Sequence, residues 1–203
     1  MVKVGILFIC IILISCGMIT IAQPRKPINN ISCLKDLNKL DITFRKQADF
    51  KETSMCKVQN AVRLTRVGKI TLDNSPLLTC SMAKQLFKFE KQYIQPLSKD
   101  IFNSEIKRIK HLGTYNCRSM RQFASVPSQH AFANALDVSS FITTDNQEIS
   151  VEKHWKNSGN KTKFLRSIRV YACIVFQVAV SPYKDANHYN HFHWDMAPYR
   201  NCL

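Results

Sequence analysis

Acidic residues are scarce in this chain of 203 residues: 14 Asp and Glu stand against 29 Lys and Arg, which gives a formal net charge of +15. The sequence has no CxxC pair, which argues against a cysteine-ligated zinc finger or a thioredoxin-type redox site. It also has no HExxH motif and no internal repeat or low-complexity region. The length and the hydrophobic content of 45% suit one globular domain with a real core.

The N-terminus has the layout of an export signal, because a short basic start precedes an almost wholly apolar run from Val4 to Ala22. The four residues that end at Cys16 resemble a bacterial lipobox, in which Cys16 would be lipidated. The run is also long enough to remain as an uncleaved anchor, since a bilayer span needs about 20 residues. We therefore expect an exported protein of the periplasm or cell envelope, with residues 1–22 as signal or anchor, 23–32 as a tether and 33–203 as a single domain.

Six cysteines remain after this leader, at wide spacing: Cys33, Cys56, Cys80, Cys117, Cys173 and Cys202. In an oxidising compartment they predict three disulfides. Six cysteines allow about fifteen pairings. Proximity in sequence favours only Cys173 with Cys202, which would tie the last helix to the C-terminus.

Hydrophobic periodicity predicts an α+β fold. Short alternating runs between Ile42 and Leu72 indicate strands, and Leu136–Thr143 alternates in the same way. Apolar residues recur at helical spacing from Leu78 to about Tyr93, where Pro96 is expected to end the helix, and again from Thr162 to Phe176. We expect a small antiparallel sheet that carries metal ligands, with helices packed on one side and disulfides stabilising the domain.

His130 and Asp137 are candidate metal ligands within the segment SQHAFANALD. Seven residues span about 10.5 Å on a helix. On a straight strand they span roughly 23 Å and point to opposite faces. Only a chain that folds back between them brings both to one ion, and Ala133-Asn134 is a suitable turn because Asn tolerates left-handed geometry.

His191 and His193 are alternate residues, so on a strand they point to the same side, which Asp195 shares. A catalytic zinc usually takes three protein ligands of the His and Asp/Glu kind and keeps one position for water. His130, Asp137 and one or both of His191 and His193 would supply such a set.

The order of motifs from Tyr115 to the C-terminus resembles the bacterial extensin-like C-terminal domain family. The matching elements are the following: Thr114-Tyr115-Asn116-Cys117-Arg118, SQHAFANALD, Val151 with Trp155, Phe164-Leu165-Arg166, Ala172-Cys173 and His188-Tyr189-Asn190-His191-Phe192-His193. This family in turn resembles the zinc-dependent superfamily of D-Ala-D-Ala carboxypeptidases, murein endopeptidases and the Hedgehog signalling domain.

The resemblance implies one zinc ion held by His130, Asp137 and His193, with His191 beside the reaction centre. Two features depart from the family pattern. Gln129 replaces a Glu, and Val180-Ser181-Pro182 replaces a Gly-rich turn before the histidines.

Five other side chains are candidates for substrate contact or catalysis. His191 could act as general acid or base, or only hold the site in place. Arg118 could stabilise an oxyanion or bind a substrate carboxylate, with a structural ion pair as the alternative. Ser128 and His188 could bind substrate, and Asp195 is expected to orient a ligand histidine by a hydrogen bond.

Together with the export signal, the resemblance implies an exported zinc peptidase that cleaves peptide bonds in peptidoglycan stem peptides or cross-links. The alternative is a non-catalytic, metal-stabilised module that binds the cell wall. Without Lys3, residues 23–203 carry +14, which favours peptidoglycan or another anionic envelope polymer as partner. The N-terminal segment predicts contact with the membrane. Export and the lack of a nucleic-acid motif argue against nucleic acid.

Overall fold

The computed structural model describes residues 30–203. The expected export segment, its Cys16 and residues 23–29 of the expected tether lie outside this range. The first helix begins at Asn30, so the last three residues of the expected tether already belong to it. No helix within residues 30–203 is long and apolar enough to cross a bilayer.

Helices and strands alternate irregularly along the described chain. The helices are α1 (Asn30–Leu37), α2 (Cys80–Phe89), α3 (Gln95–Phe102), α4 (Val151–His154) and α5 (Asn160–Val175). The strands are β1 (Ile42–Lys46), β2 (Phe50–Lys51), β3 (Lys57–Val58), β4 (Ala61–Val67), β5 (Ile70–Leu72), β6 (Leu77–Thr79), β7 (Ile106–Gly113), β8 (Ser119–Met120), β9 (Phe123–Pro127), β10 (Ala135–Thr143), β11 (Glu148–Ser150), β12 (Val178–Val180), β13 (Phe192–Asp195) and β14 (Asn201–Cys202).

Ten of these strands form one sheet in the order β1-β4-β5-β7-β10-β13-β12-β14, with β6 beside β4 and β11 beside β10. The pairs are antiparallel except for β5 with β7 and β12 with β14, which are parallel. The remaining strands form two small hairpins, β2 with β3 and β8 with β9. The predicted α+β class is confirmed, and the parallel pairs are added to the expected antiparallel arrangement.

The helices cover one face of the sheet, as predicted. Trp194 of β13 packs edge-on against Phe89 of α2 with ring centroids 5.1 Å apart. Phe141 of β10 packs in the same way against Phe164 of α5 at 5.3 Å. Because side chains alternate along a strand, His193 points to the opposite face of the sheet, away from this core.

The prediction that Pro96 ends a helix is wrong. A π-helical turn, Glu90–Ile94, follows α2 and leads directly into α3. Pro96 occupies the first turn of α3, where a missing backbone N–H removes no helical hydrogen bond. The buried Glu90 carboxylate accepts hydrogen bonds from the backbone N–H of Lys69 (3.1 Å) and the Gln95 amide (3.0 Å), which fixes this junction.

All six cysteines are paired, so the predicted three disulfides are confirmed. The pairs are Cys33–Cys80, Cys56–Cys117 and Cys173–Cys202. The last is the pair that sequence proximity favoured. The other two pairs span 47 and 61 residues and join segments that only the fold brings together.

Thiol counting tests these pairs. Protein of residues 23–203 that is unfolded without reductant should show no reactive thiols, and six after reduction. Replacing Cys56 and Cys117 together by Ser should lower the free energy of unfolding by about 2–4 kcal/mol, because the unfolded chain regains the freedom that the bridge removes. Six thiols in the unreduced protein would rule the bridges out.

Candidate functional site

The chain reverses direction just before β10 through a short 3₁₀ turn, Gln129–Phe132. The hydroxyl oxygen of Ser128 caps this turn by accepting a hydrogen bond from the backbone N–H of His130 at 3.3 Å. Ala133 then adopts left-handed backbone geometry with φ of 53°. The fold-back inferred from the sequence is therefore present, but its left-handed residue is Ala133 and not Asn134.

The side chain of Asn134 fastens the turn instead. Its amide donates to the Gln129 side-chain oxygen at 2.7 Å, and its own oxygen accepts from the Thr79 hydroxyl at 2.9 Å. Gln129, which departs from the family pattern, thus holds the turn closed by an uncharged hydrogen bond.

Three side chains converge where β10 and β13 pair. Asp137 stands directly opposite His193 in the register of the two strands, and the turn delivers His130 beside them. His193 Nδ1 lies 2.9 Å from one Asp137 oxygen, and His130 Nε2 lies 3.2 Å from the other. The two ring nitrogens are 3.1 Å apart. These three residues, which the family resemblance implied as ligands, are brought together by the fold and could hold a metal ion.

The outer nitrogen of each histidine is held by an acceptor. His130 Nδ1 donates to the backbone oxygen of Thr114 at 3.1 Å, which leaves Nε2 to face Asp137. His193 Nε2 donates to Asp195 at 2.9 Å, which leaves Nδ1 to face the same point. Asp195 therefore has the position expected of a residue that orients a ligand, because such partners fix the ring and its tautomer. The Thr114 contact was not predicted, since a backbone carbonyl carries no sequence signal.

The two ring nitrogens at 3.1 Å would repel each other if both presented lone pairs, and a proton or a metal ion between them removes this repulsion. Burial would raise the pKa of Asp137, but hydrogen bonds and charge attraction from His130 and His193 outweigh it and hold that pKa well below its usual range. Burial would lower the pKa of His193, but hydrogen bonds to Asp137 and Asp195 raise it to about 9. A proton on His193 thus offsets one carboxylate charge, and a bound metal ion would displace that proton.

The triad opens into a pocket of about 280 Å³. The predicted contact residues all line it: Arg118, Ser128, His188 and His191. His191 Nε2 lies 3.7 Å from Asp137, and its Nδ1 bonds the Asn190 side-chain oxygen at 2.8 Å. Burial lowers the pKa of His191 to about 4, so the ring is neutral at pH 7. His191 lies beside the triad and faces the pocket rather than being enclosed behind it.

The loop before β13 adds contacts that sequence reasoning missed. His188 Nδ1 bonds Asp185 at 2.8 Å, which fixes the ring at the pocket wall. The Arg121 guanidinium, from the turn between β8 and β9, donates to the side chain of Asn187 and joins two walls of the pocket. Asp185 stands three residues before His188, and this spacing is the feature of the sequence from which their contact could have been predicted.

Arg118 donates to the backbone oxygen of Ser119 at 3.2 Å and lines the pocket. Within residues 30–203 no carboxylate lies within 4.0 Å of it, so the alternative of a structural ion pair has no support there. The segment that replaces the family's Gly-rich turn forms another part of the wall. Val180 lines the pocket, and the backbone N–H of Ser181 donates to the Leu203 oxygen at 2.8 Å.

The fold and the site define an α+β domain with a histidine–aspartate metal-type centre on the open face of its sheet. The family model described as "Extensin-like protein C-terminus" matches residues 31–203. The chain therefore belongs to the extensin-like C-terminal family, as its motifs indicated. No curated protein and no solved structure matches the chain.

Metal analysis distinguishes ligands from neighbours. His130→Ala, Asp137→Ala and His193→Ala should each lose a bound divalent ion, whereas His191→Ala should keep it. Asp195→Asn should weaken metal affinity by about 10–100-fold, because the histidine loses its orienting partner.

The measurement is elemental analysis after dialysis, with circular dichroism to confirm folding. If His191→Ala lost the metal and His193→Ala kept it, then His191 would be the ligand and His193 its neighbour. If all four alanine variants kept the metal, the triad would not be the metal site.

Proposed function

We propose that the protein is an exported zinc-dependent peptidase that hydrolyses peptide bonds in peptidoglycan stem peptides or cross-links. The supporting observation is the convergence of His130, Asp137 and His193 at the wall of a pocket that His191 also lines. Three ligands and an accessible fourth side are the pattern of catalytic rather than structural zinc sites.

The donor set fits zinc. A tetrahedral ion with Zn–N bonds of about 2.0–2.1 Å requires ligand atoms roughly 3.3 Å apart. The contacts here measure 3.1 Å between the His130 and His193 nitrogens, 3.2 Å from His130 to one Asp137 oxygen and 2.9 Å from His193 to the other. One ligand atom from each residue lies within 4.8 Å of the other two. Two nitrogens and one carboxylate oxygen also match the ligand types that zinc prefers.

Zinc bound there would polarise a carbonyl group and lower the pKa of a coordinated water to about 7. The neutral ring of His191 is positioned to accept a proton from water and return it to the leaving amine. Arg118, which has no carboxylate within 4.0 Å among residues 30–203, could stabilise the developing oxyanion through its fork of N–H donors. His188 would bind substrate, and the remaining hydroxyl hydrogen of Ser128 could do the same.

The envelope is the proposed location. An apolar N-terminal run, three disulfides and the +14 charge of residues 23–203 suit a protein that works outside the cytoplasm among anionic polymers. The apolar run would hold it at the membrane if it is retained or lipidated.

A second candidate function is a non-catalytic, metal-stabilised module that binds the cell wall. The observation in its favour is that no glutamate stands among the residues that line the pocket, although many zinc peptidases use one as general base. In such a module the metal would stabilise the fold, and His191 would only complete the wall of the pocket.

His191→Ala should keep its zinc but turn over about 10²–10⁴-fold more slowly, because a positioned general acid or base usually contributes a rate factor of that size. The test is digestion of purified peptidoglycan with products identified by mass spectrometry. Tyr189→Phe is the matched control, because Tyr189 is exposed and two residues away. A wild-type protein that holds zinc but releases no peptide product would favour the binding module.

A further inference from the structure

Two arginines face each other across strands β1 and β4. Arg45 and Arg63 are direct partners in the antiparallel register, and both are exposed. Directly opposite side chains on one face have Cβ atoms about 4.5–5.5 Å apart. Arg63 donates to the Gln47 side chain at 3.4 Å, and within residues 30–203 neither arginine forms an ion pair.

The next hairpin repeats this arrangement with lysines. Lys51 of β2 stands opposite Lys57 of β3, and both are exposed. The other pair of this hairpin, Phe50 with Val58, packs inward against a small apolar cluster that includes Ala61 of β4. The two lysines therefore point away from the body of the protein.

The two pairs project from the same side of the sheet, because the hairpin packs on Ala61, and Ala61 shares its face of β4 with Arg63, two residues further on. Gln47 connects them further, since its backbone N–H bonds the Ala61 carbonyl at 3.0 Å. We call Arg45, Lys51, Lys57 and Arg63 the basic ledge. None of the four lines the metal pocket.

Among residues 30–203 no carboxylate lies within 4.0 Å of the four ledge cations, and the two acidic side chains nearest in sequence bond other groups. Asp49 accepts a hydrogen bond from the backbone N–H of Asn60 at 2.9 Å, and Glu52 accepts one from the Tyr115 hydroxyl at 2.5 Å. Like charges directly opposite on a sheet are unfavourable, and an external anion between the members of each pair would relieve this repulsion.

We propose that the basic ledge binds a linear phosphodiester polymer of the cell envelope, such as a poly(glycerol phosphate). Each phosphodiester has two free oxygens that share one negative charge, so it can bridge the two cations of one pair. Two successive pairs on an open surface suit a repeating chain rather than one small anion. This inference deepens the proposed attachment to the envelope and is independent of the zinc chemistry.

The test compares two fourfold variants of equal charge. Arg45→Gln, Lys51→Gln, Lys57→Gln and Arg63→Gln together remove the ledge. The control changes Lys88, Lys91, Lys163 and Arg166 to Gln, which are exposed cations on helices α2 and α5 and the turn after α2. Binding of poly(glycerol phosphate) is measured by calorimetry between 25 and roughly 200 mM salt, a range in which counterion release dominates affinity.

The ledge variant should bind at least tenfold more weakly, and its slope of log affinity against log salt should be shallower by about 2–3. The control should stay within about threefold of wild type, since it keeps the paired cations. The ledge variant without polymer should melt no lower than wild type, because it removes two like-charge repulsions and only one long, exposed hydrogen bond, from Arg63 to Gln47. The ledge variant should also retain its zinc and digest peptidoglycan as wild type does. That result would show that polymer binding by the ledge does not depend on the proposed catalytic site.

Equal losses in both variants would overturn the proposal, since attraction would then depend on net charge alone. Wild-type protein that binds polyglutamate or single-stranded DNA as tightly as poly(glycerol phosphate) would also overturn it. No binding by wild type at the lowest salt would do the same.

Discussion

The pairing of β10 with β13 is the constraint on which the candidate site depends. It sets Asp137 opposite His193, and a shift of one residue would turn one strand's side chains to the other face of the sheet. Trp194, on the core side of β13, makes such a shift costly because its ring is fully buried among aromatic side chains. The arrangement of the Asp137 and His193 side chains is therefore maintained by the hydrophobic core on the opposite face. The turn that ends at Ala133 adds the third side chain to a place that the sheet has already fixed.

Local sequence patterns predicted much of this arrangement. Period-two and helical spacing indicated the strands and helices, and the geometric limits on His130 and Asp137 required the chain to fold back. The prediction that a helix ends at Pro96 was wrong, because a π-helical turn precedes this residue and a new helix begins there. Contacts between distant segments could not be predicted in this way. The Thr114 carbonyl at His130, the Arg121–Asn187 contact and the Cys56–Cys117 bridge all depend on which segments the fold places side by side.

The positive charge of the chain is distributed between two kinds of environment. Arg66 and Lys84 have carboxylate partners at 2.7 and 2.6 Å, and such exposed pairs contribute little to stability. Within residues 30–203 the basic ledge has no such partners, and none of its four cations lines the pocket. A polymer held along the ledge would therefore leave the pocket open to a second ligand.

Strand β13 supplies buried aromatic residues to one face and His193 and Asp195 to the other, with only four residues in all. A ligand that binds the folded chain alone stabilises it by an amount that grows with the logarithm of its concentration. Metal bound at His193 would thus resist unfolding of the same strand that anchors the core. If the triad binds a metal, then in an environment poor in that metal the protein would be easier to unfold and more accessible to proteases, so metal supply would influence how long the protein survives.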